Sequence, residues 1–368
     1  MNKPIHMVDV VGQYARIRDE VDEAVRKVMD SGRFILGPEV GELECRIAGY
    51  LDVKYAVGCA SGTDALQVAM MALGIGPGDE VVTTPFSFVA TTETIALLGA
   101  RPVYLDIQPG SFNIDPLTLE TAITPKTKAI IPVHLYGQAA DMDEIMAVAD
   151  KHHIPVIEDS AQALGASYKG KKVCTIGAIG CISFFPSKNL GCFGDGGMLT
   201  TNDEELWKKL KVIVSHGSQT RYYHEVLGVN SRLDTIQAAV LKVKLQYLDE
   251  WNEARRKFAA RYDELLTHPR FTLPARIPDR DHIFHQYTLR VPDRDRLAAH
   301  LAEQKIPHGV YYPVPLHLQQ AFADAGFGRG SFPVAEQAAA EVISLPMHTE
   351  LTDEQQKVIT TTIRKFYA

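Results

Sequence analysis

The sequence predicts an α/β fold built on a mostly parallel sheet. Between residue 55 and about residue 200, short apolar segments alternate with segments that have apolar residues at helical spacing. Two short segments, AIIPVHL and IPVIED, are apolar at successive positions, as in strands that helices cover on both faces. This alternation is typical of parallel strands joined by right-handed helical crossovers. Ligands of such sheets bind beyond the carboxyl ends of the strands, so we expect functional residues there.

Seven strands and three helices are predicted in this region. The strands are Tyr55–Cys59, Glu80–Thr84, Pro102–Asp106, Ala129–His134, Pro155–Asp159, Cys181–Phe185 and Gly197–Thr201. The helices are Thr63–Leu73, Ala90–Leu98 and Met142–His152. Each helix has apolar residues three or four positions apart, so that one face can pack against the sheet.

The pattern changes after residue 230. Apolar residues at helical spacing from Leu233 to about Leu266 predict one long helix, which could take the chain out of the first domain. Short strands at Gln286–Val291 and His308–Tyr312, mixed with helices, predict a smaller α+β unit that ends in a helix at Asp353–Phe366. We therefore predict a large domain over residues 1–250, with an N-terminal helical segment, and a small domain over residues 251–368.

Composition and charge exclude several classes of protein. The 368 residues are 46% hydrophobic and 23% charged, which is ordinary for a globular protein and unlike a disordered, collagen-like or coiled-coil chain. The net charge of −7 disfavours binding to nucleic acid or an anionic membrane, although a small phosphorylated ligand needs only a local site. There is neither an apolar run of about 18 residues nor an export signal, so we expect a cytoplasmic protein.

The cysteines and histidines indicate neither a disulfide framework nor a metal site. The five cysteines are odd in number and widely spaced, without a Cys-x-x-Cys pair, which favours reduced thiols. The pairs His152/His153 and His282/His285 have no carboxylates at ligand spacing. We therefore expect no bound metal.

A Ser/Thr/Gly cluster follows the first predicted strand. The segment SGTDAL starts at Ser61, and a helical pattern begins within it. The first N–H groups of a helix have no partner within the helix, and together with nearby hydroxyls they can bind a phosphate. The same residue types also make ordinary N-caps. The segment is therefore either a phosphate site or a structural cap.

An acidic pair ends the fifth predicted strand. Glu158 and Asp159 follow the apolar run IPVI, and Gln162 comes three residues after Asp159. A buried carboxylate needs a cationic or hydrogen-bonding partner, because burial of an unpaired charge is costly. The pair either contacts a ligand at the strand end or caps the next helix.

A lysine follows the sixth predicted strand. Lys188 lies in SFFPSKNLG, after a proline and before the glycine-rich run GDGG. An amine held on irregular backbone near a strand end can form a Schiff base with a carbonyl compound. The ordinary alternative for a lysine is a solvent-exposed position. The aromatic residues of Pro85–Phe88, after the strand EVVTT, could stack on a planar ring or belong to the core.

These segments occur in an order that resembles one known family. The matching segments are GRFILGP, SGTDAL, TTPFSFVAT, EDSAQALGA, SFFPSKNLG, GDGGML, GVNSRLDTIQAAVL, YYPVPLHLQ and SLPMH. They resemble the DegT/DnrJ/StrS sugar aminotransferases, which use pyridoxal 5′-phosphate (PLP), over essentially the whole chain. The later segments are most similar to the branch that aminates 3-keto sugar nucleotides, including UDP-2-acetamido-2-deoxy-3-oxo-glucuronate. The resemblance implies the aspartate-aminotransferase fold (fold type I), with PLP bound in the large domain.

The resemblance also implies how PLP is held. Lys188 would be joined to PLP as a Schiff base, and Asp159 would pair with the pyridine nitrogen. Gln162 would donate a hydrogen bond to the phenolic oxygen, and Phe88 would stack over the ring. The phosphate would be held by Gly62, Thr63, Asp64 and Ser183. Asn230 matches a position that reaches the cofactor phosphate of the neighbouring subunit, which implies an obligate homodimer with shared sites.

Contacts with the nucleotide sugar are implied in the same way. They would come from Gly32, Arg33, Phe34, Arg232, Tyr312 and His317. Arg232 suits a diphosphate or a uronic-acid carboxylate, because a guanidinium group binds oxyanions bidentately. A structural salt bridge to a neighbour such as Asp234 is the alternative for this arginine.

The implied reaction is a ping-pong transamination. L-glutamate would give up its amino group, leaving 2-oxoglutarate and pyridoxamine 5′-phosphate, and a UDP- or dTDP-linked keto sugar would then accept the group. Lys188 favours this reaction over that of the dehydratase-like members, which have histidine at this position. We expect a 3-keto acceptor destined for surface polysaccharide such as lipopolysaccharide O-antigen. A 4-keto acceptor, as in perosamine synthesis, and a catalytically silent homologue that binds PLP or a sugar nucleotide are the alternatives.

Overall fold

The structure is a computed structural model that describes residues 4–220 and 222–368. Its α-helices are α1 (Val10–Arg16), α2 (Arg18–Ser31), α3 (Pro38–Leu51), α4 (Gly62–Ala72), α5 (Ala90–Leu97), α6 (Met142–His152), α7 (Glu204–Ile213), α8 (Thr235–Leu245), α9 (Leu248–Leu265), α10 (Arg294–Glu303), α11 (Pro333–Glu341) and α12 (Asp353–Tyr367). Its strands are β1 (Tyr55–Cys59), β2 (Glu80–Thr83), β3 (Arg101–Tyr104), β4 (Thr127–Ile130), β5 (Ile157–Asp159), β6 (Ser167–Tyr168), β7 (Lys171–Lys172), β8 (Ile179–Ser183), β9 (Gly197–Thr201), β10 (Tyr287–Arg290) and β11 (Val342–Leu345). Short 3₁₀ helices lie at Pro116–Ala122, Leu135–Gly137, Leu316–Leu318 and Gln320–Ala325.

Seven strands of the N-terminal part lie side by side. Strands β3, β2 and β4 form a parallel sheet in that order, and β1, β9, β8 and β5 form a second sheet. Parallel bridges from Ile130 to Val156 and from Val133 to Asp159 join β4 and the residues after it to β5. The order is therefore β3-β2-β4-β5-β8-β9-β1, and β9 runs antiparallel to both of its neighbours. The prediction of a mostly parallel sheet is confirmed.

Helices cover this sheet on both faces. Consecutive strand residues point to opposite sides, so Val81 and Cys181 pack with α4, α5 and α7, while Val82 and Ile182 pack with α3, α6 and α8. Because each face is buried, the strands have no polar side to alternate with. This explains the continuous apolar runs in the sequence.

A separate apolar cluster lies in the C-terminal part. It joins α9, β10, α10, β11 and α12 through residues such as Tyr262, Leu289 and Ile359. Strands β10 and β11 pair antiparallel, which agrees with the predicted strand at Gln286–Val291. The start of α9 packs differently, because Trp251 lies in a cluster with Val240 of α8. The domain boundary near residue 250 therefore stays a prediction.

The segment from Leu233 to Leu266 forms two helices, so the prediction of one long helix is wrong. Helix α8 ends at Leu245, and α9 begins at Leu248. Between them, the N–H groups of Gln246 and Tyr247 bond to carbonyls three residues earlier, which interrupts the α-helical ladder. Apolar spacing continues across this turn, so periodicity alone does not reveal it.

The predicted strand His308–Tyr312 is also wrong. Within this fully described stretch, Gly309 makes the one β-bridge, with Ser344 of β11. The following residues leave the sheet edge, and the chain returns to the N-terminal part, where Leu316 N–H donates to the Pro85 carbonyl at 2.7 Å. Pro313 and Pro315 lack the N–H groups that a continuing strand would need.

A buried carboxylate fixes the end of β5. Glu158 is completely buried, and its Oε2 accepts a hydrogen bond from His134 Nε2 at 3.0 Å. Its two oxygens also accept bonds from the backbone N–H groups of Cys174, Ile176 and Gly177. Glu158 thus joins β5 to the turn before β8 and to the residues after β4, and the next residue, Asp159, is held at a fixed point of the sheet edge.

We predict that Glu158→Gln lowers the free energy of unfolding by about 3 kcal/mol, because the new amide would point N–H donors at backbone N–H donors. Urea unfolding followed by circular dichroism measures the change. The matched control is Glu23→Gln, an exposed carboxylate paired with Lys27, which should change stability by less than about 0.5 kcal/mol. Equal effects of the two substitutions would contradict the role given to Glu158.

Candidate active site

A cavity of about 540 Å³ lies at the carboxyl ends of β2, β5 and β8. This is the position that an α/β sheet offers to ligands. Of the residues singled out in the sequence, the cavity is lined by Gly62, Thr63, Phe88, Asp159, Gln162, Ser183, Lys188 and Tyr312. The fold thus brings together residues that are up to 250 positions apart in the chain.

Lys188 lies on the loop between β8 and β9. Its N–H bonds to the Phe185 carbonyl at 2.8 Å, which closes a turn just past the end of β8. Nζ has no hydrogen bond or ion pair with any described residue. Desolvation lowers the pKa of the Lys188 amine to about 8, and the negative charge of Asp159 opposes part of this shift. A substantial fraction of the amine is therefore neutral and nucleophilic near neutral pH.

Asp159 is the last residue of β5 and lies almost completely buried in the cavity wall. Burial raises the pKa of its carboxyl above the ordinary value, while a hydrogen bond from Thr91 and the charge of Lys188 favour the ionised form. Its Oδ1 accepts a hydrogen bond from Ala161 N–H at 3.2 Å. The cavity thus presents a carboxylate to any group bound against this wall.

The amide orientation of Gln162 is fixed by two partners. Its Oε1 accepts a hydrogen bond from Tyr136 N–H at 2.8 Å, so its Nε2 must be the donor toward the cavity. Nε2 donates to the Tyr312 hydroxyl at 3.0 Å, and burial raises the pKa of that hydroxyl, which stays neutral. One N–H of Gln162 and the hydroxyl proton of Tyr312 can therefore serve a bound ligand.

The start of α4 and the end of β8 form a cradle for an anion. The N–H groups of Gly62 and Thr63 have no hydrogen-bond partner among the described residues, and Ser183 lies beside them. A Cβ atom added to Gly62 would lie 2.6 Å from Ser183 Cβ, and one added to Gly197 would lie 2.3 Å from the Ser61 carbonyl oxygen. Glycine is therefore required for this close approach, which leaves backbone N–H groups facing the cavity.

Asp64 does not take part in this cradle. Its N–H bonds to Ser61 Oγ at 3.0 Å, so Ser61 is the N-cap of α4, and Asp64 does not line the cavity. The structural-cap interpretation of SGTDAL is confirmed. The phosphate interpretation stays a prediction, which is compatible with this cap because two N–H groups of the first turn are left free.

Several predicted contacts lie outside the lining of this cavity. They are Gly32, Arg33, Phe34, Asn230, Arg232 and His317. The first four are exposed. His317 is buried, and its Nε2 pairs with Glu336 Oε1 at 3.1 Å, so its contact with the sugar stays a prediction. Within one subunit, these residues thus do not line the cavity that contains Lys188 and Asp159.

Arg232 has no acidic partner among the described residues. The salt bridge to Asp234 that the sequence left as an alternative is absent there, and Arg232 Nε is buried without a hydrogen-bond partner. Such a guanidinium is costly to leave unpaired, so the group has unused capacity for an oxyanion.

Thr91, Tyr136 and His285 are among the lining residues that the sequence analysis did not single out. Thr91 is one turn beyond Ser87, Tyr136 has a left-handed backbone with φ of 56°, and His285 lies in the C-terminal part. Burial lowers the pKa of His285 well below its ordinary value, and the charges of Lys188 and Arg255 add to the shift, so this imidazole is neutral. The hydroxyl-rich segment TTPFSFVATTE is the one local signal that could have indicated Thr91.

Residues 15–364 match the DegT/DnrJ/EryC1/StrS aminotransferase family. The chain belongs to this family. It is 53% identical to a "Pleiotropic regulatory protein" of Geobacillus stearothermophilus, over 100% of this chain and 99% of that protein. It is 51% identical to the UDP-2-acetamido-2-deoxy-3-oxo-D-glucuronate aminotransferase of Pseudomonas aeruginosa, over 96% of this chain and 98% of that protein. The crystal structure of S. venezuelae DesV in complex with a ketimine intermediate has a TM-score of 0.96 and 42% identity, covering 99% of each chain.

Members of the DegT/DnrJ/EryC1/StrS family are PLP-dependent aminotransferases, so this chain is an enzyme of that class. The cavity fits PLP in three respects: an amine at Lys188 whose pKa burial lowers, a buried carboxylate at Asp159, and free helix N–H groups for a phosphate. Within the described ranges, no three His, Cys, Asp or Glu side chains are grouped so that they could hold a metal ion. Nor does that part of the chain contain a helix long and apolar enough to cross a membrane.

We predict that the apoprotein captures PLP faster as pH rises, with a midpoint near pH 8, because the neutral amine of Lys188 is the nucleophile. An ordinary lysine would give a midpoint of about 10.4. The folded protein releases the Lys188 proton at a lower pH than the unfolded chain does. The free energy of unfolding of the apoprotein should therefore rise with pH between these two values. Stopped-flow absorbance measures capture, Lys188→Ala is the control, and a midpoint near 10 would contradict the prediction.

Proposed function

We propose that the chain transfers the amino group of L-glutamate to C3 of a UDP-linked 3-oxo sugar of the 2-acetamido-2-deoxy-glucuronate type. The observation that supports it most directly is the desolvated amine of Lys188, beside Asp159 and the anion cradle, in a chain 51% identical to the Pseudomonas enzyme named for that acceptor. Its place would be the cytoplasmic supply of amino sugars for surface polysaccharide such as O-antigen.

The roles of the lining residues follow from their chemistry. When bound, PLP supplies an electron-accepting ring and a carbon to which amino groups attach. Asp159 would hold a proton at the ring nitrogen, and Gln162 would donate its remaining Nε2 proton to the phenolic oxygen. Gly62, Thr63 and Ser183 would hold the phosphate, and the half-exposed ring of Phe88 (53%) would cover one face.

Lys188 would act twice. Its neutral amine would hold the cofactor covalently until a substrate amine displaces it. The freed amine, whose pKa burial lowers, would then take the proton from the α-carbon of glutamate. In the second half-reaction it would return a proton to C3 of the sugar. A group with a pKa near the working pH suits both directions of transfer.

The sugar nucleotide needs cationic groups that one subunit does not bring to the cavity. Arg232 has an unpaired buried Nε, and Arg33 and Phe34 are exposed, yet none of them lines the cavity. Two segments each have several exposed apolar side chains: Phe34–Leu36 and, further along, Tyr223, Val226 and Leu227. Such patches are typical of interfaces. We therefore place Arg232 and Asn230 at the cavity of the partner subunit, in a homodimer with shared sites.

The acceptor carbon can be tested with purified holoenzyme. We predict amination of the UDP-linked 3-oxo-glucuronate with glutamate as donor, and at least a hundredfold lower kcat/KM with a GDP-linked 4-oxo sugar, because each wrongly placed polar contact costs about 1–3 kcal/mol. Mass spectrometry and NMR of the product identify the aminated carbon. Lys188→Ala is the control and should give no product.

Three outcomes would contradict this proposal, in whole or in part. Amination at C4 with none at C3 would show a 4-oxo acceptor. Holoenzyme whose visible absorption does not respond to glutamate would indicate a silent PLP-binding homologue. A response to glutamate without amination of either sugar would retain the aminotransferase and reject the acceptor.

The shared site gives a second prediction. Lys188→Ala and Arg232→Ala should each be nearly inactive, yet mixing them under conditions of subunit exchange should restore about a quarter of wild-type activity. Half of the dimers would then be hybrids, each with one site that has an intact Lys188 and an intact Arg232 from the partner subunit. No recovery, with exchange verified by native mass spectrometry, would show that Arg232 serves its own subunit.

A further inference from the structure

We propose that Thr91 is a positioning residue that keeps the Asp159 carboxylate ionised and oriented, with Ser87 as the donor behind it. Thr91 Oγ1 lies 2.8 Å from Asp159 Oδ2, and Ser87 Oγ lies 2.9 Å from Thr91 Oγ1. All three side chains are at most 5% exposed and line the cavity. The inference rests on the proposed contact between Asp159 and the cofactor ring, and not on the identity of the sugar.

The direction of the hydrogen bonds is determined by proton count. An ionised carboxylate only accepts, so the single hydroxyl proton of Thr91 must point to Asp159. Ser87 must then donate to Thr91 Oγ1. A chain of hydroxyls aligned in this way strengthens the last hydrogen bond, because each donor polarises the next.

Thr91 is the one side chain in the described ranges that hydrogen-bonds to Asp159. The other donor is the backbone N–H of Ala161, at Oδ1. The ionisable groups that face Asp159 from neighbouring elements are Lys188, His134, Tyr312, Cys174 and Cys181. Lys188 and His134 favour the charged carboxylate, and desolvation opposes it. When Lys188 is joined to the cofactor, its charge is no longer constant, so the Thr91 hydroxyl and the Ala161 N–H are the donors that always stabilise the carboxylate.

Loss of the Thr91 hydroxyl would change how the proton at the ring nitrogen is shared between that nitrogen and Asp159. A carboxylate without its hydroxyl partner is a stronger base, so Asp159 would draw that proton toward itself. The ring would then have less positive charge and attract electrons less strongly. Two effects follow: the nitrogen that joins Lys188 to the cofactor would keep its proton to higher pH, and Lys188 would remove the substrate α-proton more slowly.

The test is a pH titration of the visible absorption of the holoenzyme without any substrate. For Thr91→Val, which preserves shape and removes the hydroxyl, we expect the midpoint to move up by about one pH unit. With substrate, kcat should fall about tenfold and KM should change little, as for loss of one charge-assisted hydrogen bond. Thr91→Ser retains the hydroxyl. It should return the titration midpoint toward that of wild type and kcat to within about threefold of the wild-type value.

Thr94→Val is the matched control. Thr94 is a buried threonine of the same helix, and its hydroxyl bonds to the Ala90 carbonyl at 2.8 Å, away from Asp159. It should leave the titration midpoint unchanged. A folded Thr91→Val holoenzyme with the wild-type midpoint, or Thr91→Ser shifted as far as Thr91→Val, would overturn the proposal.

If Thr91→Val does not fold, Ser87→Ala provides the measurement. It leaves the Thr91–Asp159 bond and removes the donor behind it, so a smaller upward shift is expected, and an unchanged midpoint would overturn the proposal. Failure of the sugar acceptor proposal would leave these spectral results unaffected, because no sugar is present in the titration.

Discussion

The buried carboxylate of Asp159 is the group on which the rest of the site depends. Its charge is unfavourable at the wall of the cavity, so the fold surrounds it with compensating groups: Thr91, the N–H of Ala161 and the amine of Lys188. Glu158, the adjacent residue, accepts hydrogen bonds from the backbone of the turn before β8, and these bonds hold the end of β5 in place. Two neighbouring carboxylates of β5 thus have different roles: Glu158 fixes the position of the strand end, and Asp159 places a charge at the cavity wall.

The sheet explains why residues so far apart in the chain meet. Strands β2, β5 and β8 run parallel, so the residues that follow them lie at one edge. Ser87, Asp159 and Ser183 come from three such strand ends. Helix α4 adds its N–H groups after β1, which runs in the same direction as β8 because β9 is antiparallel to both. Lys188 belongs to the loop that joins β8 to the antiparallel strand β9, and it lines the cavity at this edge.

Much of this arrangement was predictable from the sequence, and the reason is local. Apolar runs revealed β5 and β8, so Asp159, the last residue of β5, and Lys188, on the loop after β8, were assigned to the right edge of the sheet. Thr91 and His285 were not found, because a buried hydroxyl or imidazole leaves no pattern in a single sequence when its partner lies on another element. The same holds for the turn at Gln246, where hydrogen bonding changes while the apolar spacing continues.

The desolvation of Lys188 has a consequence for how the enzyme is loaded inside a cell. A half-buried amine in its neutral form reacts with aldehydes in general, so reactivity alone does not select PLP over sugars or other aldehydes produced by metabolism. Under the proposed function, selection would come from the anion cradle, where Gly62 and Gly197 leave no room for Cβ atoms. The reactive amine and the anion cradle thus belong to different segments. A chain that lost the cradle would retain an amine that reacts with many different aldehydes.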